Sequence, residues 1–248
     1  MTGARLAILS DIHGNLPALE AVIADAASRG VDAFVNLGDC LSGPLWPRET
    51  ADRLIALDWP TVAGNQDRAL VTLGPEAMGA SDRFAATCLD ARHLAWLGAL
   101  PPTLAPMLPM GSDLFLCHGT PGSDMIYLLE DVGADGARPA DPDVVAARIG
   151  ARREAVILCG HTHIPRVLRL ADGRTVANPG SVGLPAYADD MPLPHVMETG
   201  SPDARYAILG GDGVELIAVA YDCASAADKA LAEGREDWAI ALRTGRAR

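Results

Sequence analysis

The sequence predicts an α/β fold in which two mixed β-sheets pack face to face and are flanked by helices. Three observations carry that expectation. The stretch up to Ala63 alternates strand and helix signals in the order βαβαβ, which calls for crossover helices over a sheet. The second half is richer in adjacent strand signals, and Asp172-Gly173 and Asp212-Gly213 sit between paired ones as hairpin turns. The chain of 248 residues is 49% hydrophobic but only 4% aromatic, enough to bury one sizeable core filled by Ala, Val, Leu and Ile.

The elements follow from local pattern. Arg5 to Ser10 is a short apolar run ending in a polar cluster and reads as a strand, and Leu16 to Ala27 has helical periodicity behind Asn15. Asp32 to Leu37 repeats the strand signal and stops at Gly38-Asp39; Pro47 to Leu57 reads as a helix and Pro60 to Ala63 as a short strand. Further strands are predicted at Leu114 to Cys117, Ala155 to Cys159, Arg166 to Leu170, Thr175 to Ala177, Tyr206 to Leu209 and Glu215 to Ala220. Helices are predicted near Ser81 to Leu97, Asp141 to Gly150 and Ala224 to Leu242. Residues 186–202 carry three prolines and several acids without a period, the signature of a long loop or insertion. With no repeat and no linker, residues 1–248 read as one domain.

Charge and cysteine usage narrow the function classes. Lys and Arg total 20 against 32 Asp and Glu, a net charge of -12, so long nucleic acids are poor partners. A small phosphorylated substrate remains compatible, because bound divalent cations can reverse the local field. The five cysteines are scattered and form no C-x-x-C pair, as expected of free thiols in a reducing cytoplasm. No signal peptide and no eighteen-residue apolar run is seen, so a cytoplasmic protein without a membrane anchor is expected. A symmetric homodimer is compatible with a fold of this kind.

Oxygen and imidazole ligand types recur where strands end: Asp11 and His13, Asp39, Asn65, His118, and His161 with His163. Loops at the carboxyl ends of strands converge on sites, and alternate residues of an extended segment can turn two side chains toward the same ion. A lone D-x-H would mean little. Joined to H-x-H, to HG and to GN, each beside a glycine that lets the backbone approach closely, it points to a metal centre.

These segments, SDIHGN (Ser10 to Asn15), GD (Gly38, Asp39), GNQD (Gly64 to Asp67), HG (His118, Gly119), GHTH (Gly160 to His163) and NPGSVGLP (Asn178 to Pro185), resemble in content and order the calcineurin-like metallophosphoesterases, specifically their small bacterial and archaeal phosphodiesterase branch. The resemblance spans Arg5 to about Tyr221. It implies the calcineurin-like four-layer sandwich and a metal-dependent phosphoesterase, with phosphodiesters favoured over monoesters. It further implies that Asp11, His13 and His163 bind one metal, that Asn65, His118 and His161 bind the other, and that Asp39 bridges both. Two divalent transition-metal ions are thereby expected about 3.5 to 4 Å apart, manganese first, with iron, zinc, nickel or cobalt as alternatives. A hydroxide between them would be the nucleophile.

The family motif usually reads GNH followed by an acid, and here Gln66 replaces the histidine that would assist the leaving oxygen. Glutamine donates a hydrogen bond but no proton, so general-acid help of about 10²- to 10⁴-fold is absent or comes from elsewhere. Asp67 is read either as part of the catalytic apparatus or as a helix N-terminal cap. His195 is either a substitute acid that reaches over the substrate or a solvated loop histidine. Arg68 and Arg166 contact phosphate or form structural salt bridges, and the C-terminal GREDW segment is a recognition element or a solvated face. His93 reads as a surface or core-edge histidine. Besides the hydrolase of small phosphate esters, two alternatives stand: a catalytically weakened metal-binding scaffold of the same fold, and a sugar- or lipid-phosphate specialist roofed by residues 186–202.

Overall fold

The unbroken apolar run LAIL forms β1 (Leu6–Leu9), and all four residues are buried, as a strand covered on both faces requires. The computed structural model describes residues 4–106 and 113–247. After β1 comes α1 (Leu16–Ser28), capped by the Asn15 side chain, which accepts from the Ala18 amide. β2 (Ala33–Asn36) and α2 (Pro47–Leu57) follow; α2 opens on a proline and stops at Asp58, whose φ is 50°. Next are α3 (Asn65–Thr72), α4 (Ala80–Cys88), α5 (Ala91–Ala99), β3 (Thr103–Leu104), β4 (Leu114–Cys117), β5 (Glu130–Gly133), β6 (Gly136–Pro139) and α6 (Pro142–Ile149). The chain continues through β7 (Val156–Leu158), β8 (Arg166–Arg169), β9 (Thr175–Asn178), β10 (Ala186–Asp189), β11 (His195–Glu198), β12 (Ala204–Gly210), β13 (Gly213–Val219), α7 (Cys223–Ala232) and α8 (Glu236–Thr244).

Two mixed sheets result, ordered β13-β12-β1-β2 and β3-β4-β7-β9-β8. β1 and β2 run parallel, as do β4, β7 and β9, while β12, β13, β3 and β8 pair antiparallel. Alternation within each strand sets the layers. Leu6 and Ile8 meet Leu116 and Leu158 between the sheets, whereas Ala7 and Leu9 turn outward onto Leu19 and Val22 of α1. On the far side Phe115 and Ile157 pack against Val145 and Ile149 of α6. The order helix, sheet, sheet, helix is the four-layer sandwich expected.

Several elements differ from the sequence reading. Pro60 to Ala63 contributes one parallel bridge, Thr61 to Asn36, rather than a strand. The helix expected over Ser81 to Leu97 is two, because Asp90 accepts from the Arg92 and His93 amides and starts α5 afresh. Likewise α7 stops before Gly234, at φ 72°, and the chain restarts as α8. Residues 186–202, expected as a loop, hold the antiparallel hairpin β10–β11. The β5–β6 hairpin has no counterpart in the sequence reading, and α3 is anticipated only by Asp67 as a helix cap, which it is from within the first turn. Among the described residues, no helix is long and apolar enough to cross a membrane.

Candidate metal centre

Because β1 and β2 are parallel, as are β4 and β7, the turns that leave them open at strand carboxyl ends. Asp11 and His13 follow β1, Asp39 follows β2, His118 follows β4, and His161 and His163 follow β7. They converge as two trios, Asp11 with His13 and His163, and Asp39 with His118 and His161, the donor atoms of each within 4.8 Å of one another. His13 Nε2 and His163 Nε2 stand 3.1 Å apart, and Asp11 Oδ1 is 3.3 Å from His163 Nε2. The same oxygen is 3.9 Å from His118 Nε2, so the trios adjoin. In the second, His118 Nε2 is 3.3 Å from Asp39 Oδ2 and 3.1 Å from Asn65 Oδ1.

Backbone carbonyls set the rings. Nδ1–H of His13, His118 and His163 donates to the carbonyls of Ser42 (2.8 Å), Leu37 (2.8 Å) and Leu184 (2.7 Å). His161 is reversed: its Nε2–H donates to the Met125 carbonyl at 3.2 Å, which leaves Nδ1 for the centre. A carbonyl only accepts, so the other nitrogen of each ring is the one free to offer a lone pair inward. The Asp11 Oδ1 atom among them is buried and lacks a hydrogen-bond partner. Inward nitrogens and an orphaned carboxylate oxygen on largely buried side chains repel or waste one another unless a cation lies between, and this mixed donor set suits borderline divalent metals.

Without a cation the charges fall back on each other. Burial works against ionised Asp11 and Asp39, yet His163 holds Asp11 down and His118 holds Asp39 down. Burial also opposes charging of His118, but Asp39 outweighs it and carries the imidazolium up to about 10. Burial and the neighbouring His118 push His161 down to about 4.

A ring of close contacts holds the turns. The Asn178 side chain donates to the Gly160 carbonyl (2.7 Å) and Thr162 Oγ1 (3.0 Å), which fixes the GHTH turn. Ser181 Oγ and the Gly183 amide both donate to the Asp11 carbonyl. Asp67 is buried, and its two oxygens accept from the Cys40 and Gly64 amides at 2.9 and 3.0 Å. A Cβ on Gly64 would lie 2.1 Å from Asp39 Oδ1, so glycine is required there.

Above the trios opens a cavity of about 660 Å³ lined by His13, Asp39, Asn65, Gln66, His161 and His163. Gln66 lies in its wall: its amide nitrogen on the backbone donates to Asp39 Oδ1 at 2.9 Å, and its side-chain Oε1 is buried without a partner. Asp67 and Arg68 do not line it. Arg68 instead forms a two-bond ion pair with Asp124. His195 is not a solvated loop residue: it is buried at the start of β11, with Nε2 bonded to Tyr127 Oη at 2.9 Å and Nδ1–H donating to the Leu193 carbonyl. Arg166 serves the Leu129 and Ala140 carbonyls. His93 is fully buried, between Asp52 and Asp90.

Tyr127 and Tyr187, which also line the cavity, have no signal in the sequence. Tyr127 and Tyr187 share a 2.8 Å hydrogen bond, and their rings pack on His161 and His163. The GREDW segment, which lies at the start of α8, supplies Arg235, Asp237 and Trp238 to the wall, with the Trp238 ring edge-on to His13 at 5.8 Å. The composition of that segment was its one signal.

Comparison with known proteins agrees with this geometry. Over 263 aligned positions the chain is 27% identical to an uncharacterized protein of Methanocaldococcus jannaschii, covering 96% of both. It is 27% identical to a metallophosphoesterase of Sphaerobacter thermophilus of known structure, with a TM-score of 0.73 over 97% of this chain and 98% of that one. A hypothetical protein of Pyrococcus horikoshii, 20% identical, shares the fold at a TM-score of 0.76 over 98% of each chain. Residues 5–198 match the model of the calcineurin-like phosphoesterase superfamily domain. With its fold, its motif order and two converging ligand trios, the chain belongs to that superfamily of metal-dependent phosphoesterases.

Proposed function

We propose that this protein is a dinuclear metal-dependent hydrolase of small phosphate esters that prefers diesters to monoesters. Asp11, His13 and His163 hold one divalent ion, Asn65, His118 and His161 the other, and Asp39 is shared. The observation that carries the reading is the approach of two inward imidazole nitrogens, 3.1 Å apart, beside the unpartnered Asp11 oxygen. Bound divalent ions supply Lewis acidity toward phosphoryl oxygens and a water acidified toward neutral pH. The chain's own part is to present these donors rigidly, and the carbonyl partners of the rings do so. Gln66 can donate an amide hydrogen bond to an ester oxygen at the cavity wall, although it has no proton to release. The preference for diesters rests on the likeness of the motifs to the phosphodiesterase branch, because Arg148 and Arg235 in the cavity wall pair with Asp131 and Asp237 and burial raises Glu130 to about 7, which leaves little net repulsion of a dianion.

The test is hydrolysis of bis-p-nitrophenyl phosphate and p-nitrophenyl phosphate by protein reconstituted with Mn, then Fe, Zn, Ni and Co, beside Asp39→Asn. Faster turnover of the diester, reduced at least about 100-fold in the variant, is expected. If neither ester turns over with any of these ions, the hydrolase reading is wrong and a metal-binding scaffold takes its place.

A further inference from the structure

Among the described residues the three most exposed large apolar side chains are Met191 (70%), Met125 (56%) and Ile126 (51%), and all three line the cavity of the candidate metal centre. They come from separate segments: Met125 and Ile126 from the chain between β4 and β5, Met191 from the tip of the β10–β11 hairpin. Other exposed apolar residues, such as Leu216 and Leu231, are less exposed and lie outside it. Large apolar side chains bared to water are costly unless something covers them in use, and a patch at a cavity mouth marks a ligand surface. The Met125 carbonyl also holds the His161 ring, which ties this rim directly to the centre. An ester with its phosphorus over the two trios shares the cavity with these three side chains. At about 660 Å³ the cavity has room for far more than a phosphate group.

We infer that the substrate is amphiphilic: a phosphoester whose phosphate lies at the metal centre and whose second ester group is apolar, covered by Met125, Ile126 and Met191. This rests on the phosphoesterase reading and narrows it to a substrate class. Two flexible methionines at the mouth suit an apolar group of adaptable shape better than one read by directed hydrogen bonds.

The test uses p-nitrophenyl phosphodiesters, which share a leaving group, with methyl, butyl or octyl as the second ester group. A triethylene glycol chain of octyl length is the polar control. All are held below the concentration at which the octyl ester aggregates. From methyl to octyl, KM should fall about tenfold with kcat little changed, and the glycol ester should behave like the methyl ester. In the triple variant Met125→Ser, Ile126→Ser, Met191→Ser, the octyl-to-methyl ratio of kcat/KM should collapse toward one. In Leu216→Ser, Leu231→Ser it should stay at the unsubstituted value. Equal kcat/KM across the series overturns the inference while leaving the hydrolase intact, whereas no turnover of any ester overturns the hydrolase itself. A preference for octyl seen only once the ester is presented in micelles or vesicles would put the rim on an aggregate surface and would also overturn it.

Discussion

Asp11, His13, Asp39, His161 and His163 all sit on left-handed backbone, with φ between 52° and 70°. Among the described non-glycine residues only Asp58, at the end of a helix, shares that conformation. Each such residue costs on the order of 1–3 kcal/mol, a strain kept where surrounding contacts over-determine the turn. Those contacts are open to test. Asn178→Ala removes the two hydrogen bonds that hold the GHTH turn and should weaken metal affinity by roughly 10- to 100-fold, measured by chelator competition. Gly64→Ala forces Asp39 aside and should lose metal and on the order of 2 kcal/mol of stability, read from metal content and denaturant midpoint. Because Asp39 holds a proton on metal-free His118, loading at pH 7 should release protons. Calorimetry in two buffers of different ionisation enthalpy would detect the release, and equal heats would contradict it. The Asp and His ligands were legible in the sequence because each lies within a few residues of a strand end, whereas Asn65 follows a single bridge and opens α3. The strain was not, since left-handed backbone at Asp and His is imposed by distant partners such as Asn178 and Ser181.

At the scale of elements, the strands of the two sheets could be read from apolar runs and from the turns at Asp172-Gly173 and Asp212-Gly213, both found between paired strands. Helix ends were less legible. The pattern over residues 81–97 continues across Asp90, and only the cap geometry reveals the break. Asp90→Ala should therefore cost about 1 kcal/mol, seen as a lower Tm without change in metal content. The hairpin β10–β11 was hidden by its prolines and acids, which read as loop. Yet Ala186 and Met197 are buried, and Tyr187 reaches back to the His161 carbonyl. The first turn of α8 reads from sequence as either a recognition element or a solvated face. That it would supply Arg235, Asp237 and Trp238 to the cavity depends on packing of α7 and α8 against Leu45 and Leu184, a long-range contact with no local mark.

Across the whole molecule, the four layers carry the stability and one end carries the chemistry, and Glu130 connects the two. It lines the cavity and is buried. Burial raises it to about 7, against the pull of Thr162, Arg166 and Arg148. A carboxyl whose folded pKa exceeds its unfolded value binds more protons in the fold, so stability falls as pH rises from about 4.5 to about 7 and is level above. Glu130→Gln should abolish that slope and be more stable than the unsubstituted protein above pH 7, by up to about 3 kcal/mol in denaturant titrations. A slope unchanged by the substitution would contradict the assignment. The central claim is that two adjoining trios hold two cations, and metal stoichiometry tests it most directly. Elemental analysis after reconstitution and gel filtration should find close to two divalent ions per chain, falling to about one in His163→Ala. A chain that retains no metal after loading with any of Mn, Fe, Zn, Ni or Co would contradict the account.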